Sequence, residues 1–152
     1  MKNTTVCYIE KDGKYLMIHR IKKKNDENHD KWIGIGGKLE DGESPYDCVI
    51  REVYEETGLT LDSPRLRAVV TFVSDEFDTQ QMFLFSATQF TGELSDSCEE
   101  GELEWIEKDR LYSMPIWEGD KIFHRLLDED APFFSLKLVY QGDKLINHKL
   151  IF

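Results

Sequence analysis

The stretch from Gly37 to Leu59 reads GKLEDGESPYDCVIREVYEETGL and decides the fold. Its second half predicts a helix that starts near Ser44-Pro45 and ends at Gly58. Ser44 suits the N-cap, Pro45 the first helical position and Gly58 the C-terminal stop. Tyr46, Val49, Ile50 and Val53 form one apolar stripe, expected to face the core. Glu52, Glu55 and Glu56 are spaced i, i+3 and i+4, so they crowd one side of the helix beside that stripe. Like charges at this spacing repel, and a cation would turn the cluster into a site. Hard oxygen donors suit Mg²⁺, with Mn²⁺ as the second candidate. Taken alone, three glutamates read more simply as a solvated acidic face; the flanking residues shift that weight.

Just upstream lies Gly36-Gly37-Lys38. Two glycines let backbone carbonyls and amides approach a ligand closely, and Lys38 can neutralise phosphate charge. Glu43 stands eight positions before Arg51, where an ion pair would tie the loop to the helix. The plainer reading of Glu43 is an acid favoured at a helix N-terminus.

Further out, Thr4 to Glu10 and Tyr15 to Arg20 alternate around Asp12-Gly13 and predict a hairpin. Ile21 to Lys31 is a polar loop carrying Lys22-Lys23-Lys24. It reads as solvated surface, or as a basic rim near a phosphate-bearing ligand. Ile33 to Gly37 is Gly-rich and extended. Arg65 to Val73 and Gln81 to Phe90 predict strands, Glu102 to Ile106 a short one, and Gly119 to Leu127 a second helix. Phe133 to Tyr140 and Lys144 to Phe152 predict a closing hairpin around Gln141-Gly142-Asp143. Many strands with about two helices mean a mixed α/β or α+β fold.

The 152 residues are enough for one domain, 1–152, with a proper core. The balance of 19 basic and 30 acidic residues leaves a net charge of −11. A surface that acidic argues against a binder of long duplex nucleic acid. A small anionic substrate stays open, because a bound metal inverts the local charge. No apolar run approaches the ~20 residues of a membrane-spanning helix, so no membrane partner is expected. Met1 to Thr5 lacks the features of a signal peptide. Cys7, Cys48 and Cys98 are odd in number and widely spaced. They suit reduced thiols in a cytoplasm and are too scattered for a zinc site.

Gly37, Glu43, Arg51-Glu52, Val53, Glu55-Glu56, Gly58 and Leu59 fill every specified position of the signature of the Nudix hydrolases, which the chain therefore resembles. Lys31 to Lys38 looks like the lead-in of the MutT branch, the oxidised-nucleotide sanitisers. Trp117-Glu118-Gly119-Asp120 and the ending Phe133 to Phe152 are similar to segments of the animal-type 8-oxo-dGTP diphosphatases. The resemblance implies a Nudix fold, with a mixed β-sheet sandwiched between helices, hydrolysing a nucleoside diphosphate linked to another group. It implies Mg²⁺ held by Glu52, Glu55 and Glu56 with the Gly36 carbonyl. A further acid outside the signature is implied too, and Glu100 is favoured over Glu99. Glu52 or Glu56 would take a proton from water, with Arg51 and Glu43 supporting the catalytic helix.

By the same resemblance the substrate lies near Thr5, Arg20, Ile33, Ile35, Gly37, Lys38, Trp117 and Asp120. Trp117 would stack on a purine, and a protonated Asp120 would donate a hydrogen bond to an oxo group. The plainer readings are core packing for Trp117 and helix capping for Asp120. Trp32 reads as packing beside the glycines, and Trp105 as part of a core strand. One position departs from the family. The animal-type enzymes carry an Asn that reads the base edge where this chain has Ile33, which has no hydrogen-bonding group. The leading expectation is an Mg²⁺-dependent pyrophosphatase of purine dNTPs such as 8-oxo-dGTP. ADP-ribose, a dinucleotide or broad dNTP housecleaning are the alternatives, and a non-catalytic nucleotide-sensing domain comes third.

Overall fold

The computed structural model describes residues 1–22, 24–96 and 98–152. The alternating N-terminus forms β1 (Lys2–Lys11) and β2 (Lys14–His19), an antiparallel hairpin turning at Asp12-Gly13. A short β3 (Trp32–Ile33) pairs with β2 and leads through the glycines to α1 (Pro45–Thr57). Then come β4 (Thr60–Asp62), β5 (Arg65–Ser74), β6 (Gln80–Ala87), β7 (Gln89–Thr91) and β8 (Glu102–Glu107). A 3₁₀ turn (Lys108–Ser113), α2 (Asp120–Asp128), β9 (Phe134–Gln141) and β10 (Lys144–Ile151) complete the chain.

One mixed sheet runs in the order β10-β9-β5-β6-β1-β2-β3, with β8 paired to β2. The β1–β6 and β5–β9 pairs are parallel, so both faces of the sheet centre need cover. Successive residues of β1 supply it to opposite sides. Cys7 and Ile9 pack with Val49 and Val53 of α1. Val6 and Tyr8 pack with Phe123 and Leu127 of α2. The mixed sheet between two helices matches the α+β expectation.

The differences from expectation are local. The buried face of α1 is Cys48, Val49, Val53 and Thr57; Tyr46 and Ile50 are 45% and 38% exposed. The helix is rolled so that the line Cys48–Glu52–Glu56 turns toward the protein, and Tyr46 packs only edge-on against Phe85. The strand expected over Gln81 to Phe90 breaks at Thr88. Its end leaves the main sheet as β7 and pairs with β4, opposing Phe90 to Leu61. Trp32 stacks flat on His19, and half-buried Trp105 stacks on Phe90.

Candidate active site

Local chemistry sets both ends of α1. The Ser44 hydroxyl accepts from Asp47 N at 3.1 Å, and the Asp47 carboxylate accepts from Ser44 N at 3.0 Å, a reciprocal capping box. Gly58 ends the helix with φ 80°. Arg51 then clamps the preceding loop to the helix. Its Nε and Nη2 donate to the two oxygens of Glu43 at 2.7 and 2.9 Å, a two-pronged ion pair. This guanidinium pushes the Glu43 carboxyl down to about 2. Arg51 also donates to Glu52, Glu55 and the Lys38 carbonyl at 2.9, 3.2 and 3.2 Å.

The glutamates differ in setting. Glu55 is exposed, whereas Glu52 is largely buried. Glu56 is buried deeply enough that one oxygen, Oε2, is sealed from solvent without a hydrogen-bond partner among the described residues. Burial, and then the charges of Glu100 and Glu52, push the Glu56 carboxyl up to about 9. Burial also raises Glu52, with Glu55 and Glu100 adding to the rise and Arg51 opposing it. Glu100, which precedes β8, therefore faces the cluster, and it shares a hydrogen bond with Glu56. Glu99 is exposed. Gly37 lies against Glu52: a Cβ there would sit 2.5 Å from the carboxylate carbon. Gly36 is pressed on the Thr5 backbone, where a Cβ would meet the carbonyl oxygen at 1.9 Å.

Among the described residues, no three His, Cys, Asp or Glu side chains are yet close enough to share an ion. Arg51 draws Glu52 and Glu55 toward itself. The donor set nevertheless fits a divalent cation. It is all hard oxygen, its members repel one another, and the orphaned Glu56 oxygen lacks only a positive partner.

Beside the acids opens a cavity of about 400 Å³. Thr5, Arg20, Ile33, Gly36, Gly37, Lys38, Trp117 and Asp120 line it, so most of the expected substrate residues come together. Arg20, on the cavity wall, is held by buried Asp26 at 2.7 Å, and its positive charge opposes the rise at Glu56. Trp117 is 5% exposed, stands edge-on to Phe72 and Tyr140, and donates from Nε1 to Asn28 at 2.8 Å. The Lys31 ammonium lies 4.3 Å from its ring centre. Asp120 opens α2 but makes no side-chain cap; burial pushes its carboxyl up to about 8 against the pull of Lys31.

One expectation needs correction. Ile35 does not line the cavity: it is fully buried in the α1-side core, paired with Cys7, because its side chain points to the other face of the sheet from Ile33. In the basic stretch, read above as solvated surface or as a phosphate rim, the described lysines lie off the cavity. Lys22 donates to the Cys98 carbonyl at 2.6 Å, tying its loop to the segment that carries Glu100. Lys24 is exposed off the cavity, and Lys23 lies outside the described residues.

The same loop sends Asn25, Asp26, Glu27 and Asn28 to the cavity wall instead, and Phe72, Gln80 and Met82 come from β5 and β6. Sequence reading missed these. The polar loop carries no periodicity, and the strand residues differ in no visible way from core residues.

A family model, the NUDIX domain, matches residues 1–127. The Nudix hydrolase YvcI of Bacillus subtilis strain 168 is 34% identical over 124 residues, covering 79% of this chain and 75% of the relative. The oxidized purine nucleoside triphosphate hydrolase of Danio rerio is 28% identical over 150 residues, 98% of this chain and 94% of that one. The crystal structure of a mutator MutT protein from Bacillus halodurans superimposes with a TM-score of 0.87 at 29% identity, covering 99% of this chain and 97% of the other. With an unbroken acidic helix, the matched domain and these relatives, the chain belongs to the Nudix family and is a Nudix hydrolase.

Proposed function

We propose that the chain is an Mg²⁺-dependent nucleoside triphosphate pyrophosphatase that hydrolyses purine dNTPs, 8-oxo-dGTP first among them, to the monophosphate and pyrophosphate. The observation that carries this reading is the abutment of acids and cavity. Gly36, Gly37, Lys38 and Arg20 line the cavity, and the Glu52 carboxylate lies against Gly37. A base in the cavity therefore leaves its phosphates at the acidic helix. Similarity along nearly the whole chain to an oxidized purine nucleoside triphosphate hydrolase supports the choice of base.

Nudix hydrolases generally use divalent metal ions; here Glu52, Glu55, Glu56 and Glu100, with the Gly36 carbonyl, would hold Mg²⁺. Such an ion neutralises pyrophosphate charge and makes hydroxide available near neutral pH. The chain's own part is to bind, orient and take a proton. Lys38 and Arg20 meet phosphate oxygens. Glu52 or Glu56 takes the proton of the water whose oxygen bonds to phosphorus as the phosphoanhydride P–O bond breaks. Arg51 and Glu43 hold the loop against the helix. Trp117 stacks on the base, and Asp120, protonated at neutral pH, donates to an oxo group. Residues 1–152 act as one domain, since β9 beyond the matched family segment pairs with β5 inside it. A cytoplasmic role in cleaning the nucleotide pool suits three unpaired cysteines. No helix among the described residues is long and apolar enough to cross a membrane.

Ile33 favours a second reading, because it lines the cavity without a hydrogen-bonding atom. That reading is broad dNTP housecleaning, or action on ADP-ribose or a dinucleotide. The test is pyrophosphate and phosphate release with Mg²⁺ from 8-oxo-dGTP, dGTP, dATP, dCTP, dTTP and ADP-ribose. A kcat/KM for 8-oxo-dGTP well above that for dGTP supports the first reading. A flat profile, or preference for ADP-ribose, transfers the function to the second. No turnover of any compound leaves a nucleotide-sensing domain.

A further inference from the structure

The loop between β2 and β3 holds a carboxylate that the chemistry above does not use. Glu27 lines the cavity. One of its oxygens, Oε1, accepts from the amide of Gln80, a buried residue at the start of β6 that in turn accepts from the Thr4 hydroxyl at 3.5 Å. The other oxygen, Oε2, is sealed from solvent with no hydrogen-bond partner among the described residues. Leaving a buried carboxylate oxygen unpaired is costly. The loop cannot relieve that cost by swinging away, because both neighbours of Glu27 are pinned. Asp26 is bonded to Arg20 at 2.7 Å, and Asn28 accepts from Trp117 at 2.8 Å. A donor for Oε2 can arrive with whatever fills the cavity that Glu27 lines.

We propose that Glu27 is a specificity-determining residue that accepts a hydrogen bond from an exocyclic amino group of a purine held in this cavity. The inference rests on the purine reading above and deepens it. An ionised carboxylate only accepts, so it distinguishes a base edge that offers an amino N–H from one that does not. Two purines carry such a group, guanine at position 2 and adenine at position 6; hypoxanthine carries neither. Asp120, as a donor on the same cavity, complements it by addressing a carbonyl. Glu27 thus supplies polar base readout that Ile33 does not.

The test is calorimetric binding of dGMP, dAMP and dIMP without divalent cation, so that turnover plays no part. The wild-type chain is expected to bind dGMP or dAMP about 10-fold or more tighter than dIMP, the scale of one hydrogen bond to a charged group. Which of the two is favoured identifies the amino position. Glu27→Gln presents an amide in place of the orphaned oxygen and should bring that ratio within about 3-fold of unity, with dIMP binding unchanged. Gln80→Ala removes the anchor of Oε1 from outside the loop and should shrink the ratio in the same direction. It carries the test if a thermal melt shows Glu27→Gln to be unfolded. An unchanged ratio in a folded Glu27→Gln, equal weakening of all three nucleotides, or no discrimination by wild type overturns the inference and leaves the purine reading standing. Failure of wild type to bind any of the three overturns the purine reading itself.

Discussion

Trp117 and Asp120 meet the same cavity with different physics, and they separate experimentally. Trp117 lines the cavity, and on the stacking reading Trp117→Ala should raise KM for purine triphosphates by roughly 10-fold and for pyrimidines by less. Equal losses on both would remove base stacking from its role. Asp120 holds its proton up to about pH 8 because burial disfavours the charged form. Below that pH it donates a hydrogen bond; above it, it cannot. Affinity for 8-oxo-dGMP, measured without metal, should therefore fall as pH rises through 8. Asp120→Asn, which keeps a donor and does not titrate, should flatten the profile. A profile unchanged by Asp120→Asn would place the titration elsewhere. At this scale spacing singled out the acids, and the family resemblance singled out both of these residues. It did not show Glu27 or Asn28, whose partners Gln80 and Trp117 stand 53 and 89 positions away. Polar residues in an aperiodic loop look solvated until such long-range partners are known.

At the scale of elements, α1 presents its acids as it does because its ends are written locally and its roll is set by the sheet. The cap at Ser44, the stop at Gly58 and the Glu43–Arg51 clamp all followed from spacing, which short-range hydrogen bonding obeys. The roll did not, since the apolar stripe through Tyr46 and Ile50 predicted a different buried face. Packing of Val49 and Val53 on Cys7 and Ile9 turned Glu52 and Glu56 inward instead. That inward turn leaves Gly37 no room for a side chain. In Gly37→Ala the new methyl would displace the Glu52 carboxylate, a flexible group, rather than backbone. Turnover should fall at least about 10-fold, as removal of a charged hydrogen-bonding group does, while the melting temperature moves by less than about 4 °C. A variant that retains full activity would show that the position of Glu52 against Gly37 is unimportant.

For the whole molecule, the two faces of the sheet divide the labour: the α1 side carries the acids, and the α2 side walls the cavity. That division was legible in outline, because many strands and two amphipathic helices admit few layered solutions. The transfer of β7 to a separate pair with β4 was not, since one bend at Thr88 breaks an otherwise continuous strand pattern. The α2-side core also buries His124 among Tyr8, Tyr15 and Phe123, with neither ring nitrogen bonded among the described residues. Burial pushes this imidazole down to about 3 from an ordinary 6.5. The unfolded chain binds that proton first, so His124 destabilises the fold progressively as pH falls from about 6.5 toward 3, and not above that window. Urea unfolding at pH 7, 5.5 and 4 should show His124→Phe losing less stability than wild type on acidification. Parallel losses would exclude His124 as a source of acid sensitivity.

The joining of the two sides at Glu56 is tested most directly by one titration. Pyrophosphate release from 8-oxo-dGTP is followed against Mg²⁺ for wild type and Glu56→Gln side by side, with circular dichroism confirming that both are folded. Saturable dependence on Mg²⁺ in wild type, and a loss of roughly 1,000-fold or more in the variant, are expected when a group at the reacting centre is removed. Hydrolysis that persists in chelator, or a folded Glu56→Gln within a few-fold of wild type, would contradict a metal-dependent centre at this helix.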